Sequence, residues 1–220
     1  MALLDFVRTD VKQFLDTNEE LLFNERDFQM HLATYLRGTN HYDDVDVEYY
    51  VPVSELDGYK EIWDTELRMD VLVSKDNEFL PIELKYKTKT VRKRMLRFGE
   101  PVSEEIVVMK NQGAQDLGKY DFWKDVRRIE IVRKRFKAIK SGLAVFVTND
   151  QAYLKAGKET SNHIQFSMTE GTHGKEKHWL DKESTCCMTH PDFEVEKEYS
   201  IRWEERKVEE INIYYTLLTI

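Results

Sequence analysis

Leu67 to Lys89 reads LRMDVLVSKDNEFLPIELKYKTK, two apolar runs separated by Asp76-Asn77. Runs of this length rich in Leu, Val and Ile suit β-strands, and Asp-Asn tolerates the left-handed conformations that a two-residue hairpin turn demands. With that turn, Lys75 pairs with Glu78 and Asp70 falls opposite Glu83. Directly opposed side chains lie ~5 Å apart at Cβ. Two carboxylates that close repel unless a proton or a cation lies between them. Alternation also puts Glu83 and Lys85 on one face of their strand, with Ile82, Leu84 and Tyr86 on the other. Oxygen-only donors with room for water favour Mg²⁺, with Mn²⁺ as a substitute. The plainer alternative is a solvent-facing hairpin in which Lys85 neutralises both acids as a surface ion pair, an arrangement worth little stability.

The flanking segments supply further candidates. Leu3, Phe6, Val7, Val11, Phe14 and Leu15 recur at helical spacing, which predicts a helix over about 3–17. Asn24 is a good N-cap for a second helix, with Asp27 at its third position and Gly38 as its stop. On that helix Glu25 falls at the centre of the stripe containing Phe28, Leu32 and Leu36, with Gln29 one turn on. A carboxylate in an apolar stripe is costly to bury unpaired, although the helix dipole favours it at the amino end. Glu25 therefore either reaches solvent or forms a third acid aimed at the same cation.

Val45 to Val53 reads as a strand, and Gly99 to Glu105 as a loop. A long helix is expected from about 111 to 139, with Phe122, Val126, Ile129, Val132 and Phe136 on one stripe. Extended backwards, the stripe takes in Gln115 and Gln112. Their amides either bond backbone or position a phosphate or a base edge. Gly142 to Asp150, GLAVFVTND, is a continuous apolar run suited to a strand buried on both faces. The order implies an α/β protein with a mixed central sheet flanked by helices. Residues 151–191 are polar and are expected to form an excursion or mobile flap, not a second core. Phe193 to Trp203 and Glu210 to Ile220 read as late strands, a β-rich C-terminal extension.

Length and a 41% hydrophobic content fit one domain over 1–220. There is no apolar run long enough for a membrane span and no secretory leader pattern, and the two cysteines, Cys186 and Cys187, are adjacent. Cytoplasmic life is the expectation. Net charge is −8, yet Leu84 to Lys140 holds 17 Lys/Arg against 7 Asp/Glu, leaving 16 against 34 elsewhere. A basic middle in an acidic chain suits a nucleic-acid partner, or else a merely solvated face. His173, His178, Cys186, Cys187 and His190 lie close in sequence but lack zinc-ligand spacing. The four tryptophans read as packing residues.

An acid on the first core helix, then Asp, then Glu-x-Lys on the next strand, followed by a helix and a strand, resembles the PD-(D/E)xK phosphodiesterase superfamily. Here the motif stands as Glu25, Arg68-Met69-Asp70 and Pro81-Ile82-Glu83-Leu84-Lys85. The resemblance covers about 24–149, leaving the N-terminal helix of 1–23 and the last seventy residues outside it. It implies a restriction-endonuclease-like αβββαβ core and Mg²⁺-dependent hydrolysis of DNA phosphodiesters, endonucleolytic in character. Asp70, Glu83 and the Leu84 carbonyl would hold the metal, with Glu25 as an outer or second-metal ligand. Lys85 would orient water or stabilise charge. Gln29, Lys87, Lys89, Arg92, Gln112, Gln115 and Lys119 are the expected substrate contacts. No small-molecule cofactor is implied. Duplex cleavage needs two active sites, so a homodimer is a reasonable expectation, and the apolar C-terminal strand could pair with a partner's edge. The superfamily's degenerate members supply the alternative, a non-catalytic nucleic-acid-binding or protein-interaction module.

Overall fold

The computed structural model describes residues 2–220. Two helices open the chain, α1 (Leu3–Thr17) and α2 (Glu25–Gly38), followed by β1 (Asp44–Val51) and the short α3 (Tyr59–Ile62). The Asn24 side chain accepts the Asp27 N–H at 3.0 Å, the N-cap read from sequence. Next come β2 (Leu67–Lys75) and β3 (Glu78–Lys87), joined by Asp76 and Asn77 at φ 52° and 63°. Both lie in the left-handed region that a tight two-residue hairpin turn of the I′ kind uses.

An arm follows, built from β4 (Val91–Lys93), β5 (Leu96–Arg97), β6 (Glu100–Pro101) and β7 (Ile106–Met109). Then come α4 (Gln115–Arg135) and β8 (Leu143–Thr148). The C-terminal third carries β9 (Gly171–His173), β10 (Glu176–Lys177), α5 (Thr185–Thr189), β11 (Phe193–Glu194), β12 (Tyr199–Ile201), β13 (Glu204–Val208) and β14 (Ile211–Thr219).

The main sheet has six strands in the order β1-β2-β3-β8-β14-β13. All its pairings are antiparallel except β3 with β8. That parallel pairing requires the crossover that α4 supplies. All six residues of β8 are buried, as expected of a strand covered on both faces. One face packs α1 and α2 through Val7, Phe14, Phe28 and Leu32 against Val71, Ile82 and Val145. The other packs α4 through Phe122, Val126 and Ile129 against Met69, Ala144 and Phe146. The chain is thus α/β, with a mixed sheet between helical layers, and no helix among the described residues is long and apolar enough to cross a membrane.

Gly142 stands where α4 crosses β8. A Cβ there would sit 2.3 Å from Ile129 Cγ2 and 3.2 Å from the Pro81 carbonyl oxygen. Gly142→Ala is expected to cost about 1–3 kcal/mol through overpacking, read as a lower urea midpoint at constant slope.

Three expectations need correction. Residues 151–191 are no loose flap: Tyr153, Phe166, Met168 and Trp179 are buried and extend the apolar layer on the α4 side. Their spacing follows no helical or strand period, because irregular chain buries side chains one at a time. The long helix is shorter than its apolar stripe suggests, starting after Ala114 at φ 59° and ending at the extended Phe136. The C-terminal strand β14 is not a free edge but lies between β8 and β13, so it offers no partner a ladder. The sheet's edges are β1 and β13.

Candidate functional site

The hairpin register runs from Lys75↔Glu78 to Val71↔Ile82 and stops one pair short of Asp70 and Glu83. There β2 parts from β3. On the other side of β2, Glu48 takes φ 52° opposite Asp70, between the pairs Val47↔Val71 and Tyr49↔Met69. This local kink changes which face the strand's odd-numbered residues meet. Val71 and Val73 pack with α1 and α2, whereas Leu67 and Met69 pack with α4. A β-bulge redirects side chains beside active sites in the same way. The Asp70 carboxylate fills the fork by accepting the Leu84 N–H at 2.6 Å, a donor that the interrupted ladder would have left open.

Glu83 is buried, and its Oε1 has no hydrogen-bond partner. Asp70 is its neighbour across the fork, and each carboxyl influences the other's titration. Burial pushes Asp70 up to about 6, with Asp125 adding to the rise and Lys85 opposing it. Burial likewise lifts Glu83 well above the usual carboxylate range, reinforced by Asp125 and Asp70. For Lys85, burial works to lower the ammonium's pKa. The acids around it, Asp125 foremost, then Glu25, Asp70 and Glu83, outweigh burial and hold it above its ordinary value. Lys85 is therefore a cation near neutral pH.

Asp125 is the residue that sequence reasoning missed. Its carboxylate is buried on α4 and meets Lys85 Nζ at 2.6 Å and Arg128 at 3.4 Å. The signal was present: Asp125 stands three residues after Phe122 and four before Ile129, inside the buried stripe.

The other predicted residues fall in three groups. Glu25 is half-buried and accepts the Tyr86 N–H at 2.9 Å, so it braces β3 and biases Lys85 electrostatically. It does not join the two acids: among the described residues no group of three or more His, Cys, Asp or Glu side chains is gathered to hold a metal. The Leu84 carbonyl is at the site and accepts from Lys85 Nζ at 3.2 Å.

Gln29 is buried, donating to Glu48 Oε1 at 2.9 Å and to the Asp70 carbonyl at 2.7 Å. It supports the kink and has no free amide for substrate, because the distorted ladder needs a donor there. Gln115 donates to Asp150 at 3.1 Å, and Lys89 pairs with the same carboxylate at 2.9 Å. Lys119 is buried, and burial lowers its pKa despite Asp116 and Asp150. It faces inward because residues 151–166 cover that side of α4, so it is no surface contact for a phosphate. Gln112 is not on the helix: it is exposed, in the preceding loop, and its N–H donates to the Thr88 carbonyl at 2.8 Å. Lys87 lies 3.9 Å from Asp121, and Arg92 is exposed with no acidic partner among the described residues.

Asp70 and Glu83 are the two carboxylates that the fork offers a cation, without a third acid gathered beside them among the described residues. Four carboxylates, Asp70, Glu83, Asp125 and Glu25, surround Lys85 and Arg128, a formal charge of −2 when all are ionised. The orphaned Oε1 of Glu83 is a buried acceptor with no donor of its own. Compared with protein-family models, curated proteins and solved structures, the chain matches none.

Proposed function

We propose that this protein is a Mg²⁺-dependent nuclease that hydrolyses DNA phosphodiester bonds. The observation that carries this reading is the fork between β2 and β3, which leaves Asp70 and the unpartnered Glu83 facing one another beside a protonated Lys85. The order α2, β1, β2, β3, α4, β8 supports the resemblance to the restriction-endonuclease-like core. Asp70, Glu83 and the Leu84 carbonyl would hold the ion. Such an ion lowers the pKa of water and offsets charge on a phosphoryl transition state.

Lys85 contributes positive charge next to the reacting phosphate, since an ammonium stabilised by four acids does not serve as a base. Asp125 is a positioning residue that fixes where Nζ points. Glu25 holds the Tyr86 N–H and keeps β3 in place beyond the fork.

A second reading, a non-catalytic DNA-binding module, is favoured by two observations: Lys85 is already tied to Asp125, and no third acid among the described residues joins the pair. Supercoiled, linear, single-stranded and branched DNA incubated with Mg²⁺, Mn²⁺ or chelator separates the two. Metal-dependent cleavage is expected, about 10²-fold slower in Lys85→Ala. Binding without cleavage of any form, or equal cleavage by the variant, overturns the enzyme.

A further inference from the structure

We infer that the arm from Val91 to Met109 engages bound DNA, with the ring of Phe98 at its tip stacked on a nucleobase. The inference rests on the DNA-directed reading above. The arm follows directly on β3, the strand that carries Glu83 and Lys85. Its stem pairs Lys93 with Ile106 and its outer part pairs Arg97 with Glu100, closed by a two-residue turn.

That turn is Phe98-Gly99, at φ 54° and 83°. The same chain closes its β2–β3 hairpin with Asp76-Asn77, short polar residues suited to left-handed backbone. A bulky aromatic is disfavoured in that conformation. Phe98 is also fully exposed, at 106%, the most exposed large apolar residue among those described, with Leu96 beside it at 64%. Neither backbone preference nor packing explains a phenylalanine here, which leaves a contact outside the chain.

Charge selects the partner. Arg92, Arg94 and Arg97 on the outgoing strand have no acidic partner within ion-pair distance among the described residues, while Glu100, Glu104 and Glu105 lie on the return. Lys93 at the base is paired with Glu209 at 2.6 Å, which anchors the arm to the turn between β13 and β14. Three unpaired guanidiniums on the segment that leads to the exposed ring suit a phosphate backbone beside a base. Aromatic rings stack on any base face without sequence choice, and apolar wedges open base steps.

The test compares wild type with Phe98→Asn, a residue that suits the turn, on a forked duplex carrying 2-aminopurine at the fork, in chelator so that nothing is cut. The variant is expected to melt no lower than wild type. It should bind about tenfold more weakly and lose the 2-aminopurine fluorescence change. Its salt dependence should be unaltered, because no phosphate contact is removed. Equal affinity and an equal fluorescence response in the variant overturn the stacking assignment while leaving the nuclease reading intact. A dimer present in wild type and lost in the variant, with DNA affinity unchanged, overturns it in favour of self-association. Absence of any salt-dependent DNA binding by wild type removes the DNA reading and this inference together.

Discussion

Glu83→Gln should melt at a higher temperature than wild type in chelator at pH 7, yet lose metal-dependent cleavage altogether. The first effect follows from confining two carboxylates beside Asp125 without enough positive charge. Asp70 reports the size of this cost. Its folded pKa of about 6 stands above the ordinary value of 3.8. Below 3.8 the group is protonated in both states and costs nothing. As pH rises from there to about 6, the unfolded chain gives up its proton first, so stability falls; above 6 the loss is complete. The drop is on the order of 2–3 kcal/mol for wild type in chelator.

Glu83→Gln removes Glu83's own raised titration, so the total fall of stability with rising pH should be smaller in the variant. Saturating Mg²⁺ at 100 times its Kd should add about 2.7 kcal/mol to wild type and nothing to the variant. Differential scanning in chelator and in Mg²⁺ across pH 3–8 measures both. A variant that melts lower in chelator, or that still gains from Mg²⁺, contradicts the assignment of Glu83 as a charged ligand.

Asp125→Asn keeps the shape of the side chain and removes its charge. Lys85 then retains Asp70, Glu83 and Glu25 but loses its 2.6 Å partner, and Arg128 loses its only carboxylate among the described residues. The expected cost is about 3 kcal/mol, the low end for breaking a buried pair, since other acids remain near. Because Asp125 raises both Asp70 and Glu83, its removal should also make the fall in stability with rising pH smaller and end it at a lower pH. Urea unfolding between pH 4 and pH 8 gives both numbers. A loss below about 0.5 kcal/mol, in the range of an ordinary surface substitution, would place the Lys85–Asp125 pair outside the site's electrostatics.

How much of this was legible varies by element. The hairpin register from Lys75↔Glu78 to Val71↔Ile82 could be read because a two-residue turn pins it, and Asp76-Asn77 is such a turn. The expected pairing of Asp70 opposite Glu83 falls one step beyond the ladder. The alternation that placed Lys85 beside Glu83 follows from the same geometry. Two things were not legible. The fork depends on a left-handed Glu48 in a neighbouring strand, which no propensity for glutamate predicts. The partnership of Lys85 with Asp125 depends on how α4 is rotated above the sheet, although an acid inside an apolar stripe marks where to look.

Residues 151–191 were misread for another reason: their aromatics enter the core from irregular chain, where no period exists to detect. Lys119 was misjudged with them, since what buries it is that same segment. Gln29 and Gln115 were singled out correctly as polar groups on buried helix faces. They serve strand ends and loops, which is the commoner use of a buried amide.

The one parallel pairing in the sheet has a consequence for biosynthesis. The β2–β3 hairpin is complete early in translation, whereas β8, which must dock along Ile82 to Lys87, emerges only after α4 has followed it. Until then the two acids and Lys85 sit on an exposed nascent edge, with Asp125 not yet delivered to them. The parallel pairing is therefore a late step in assembling the sheet, and ribosome-bound chains stalled before residue 143 should hold the hairpin without the strand that encloses these side chains.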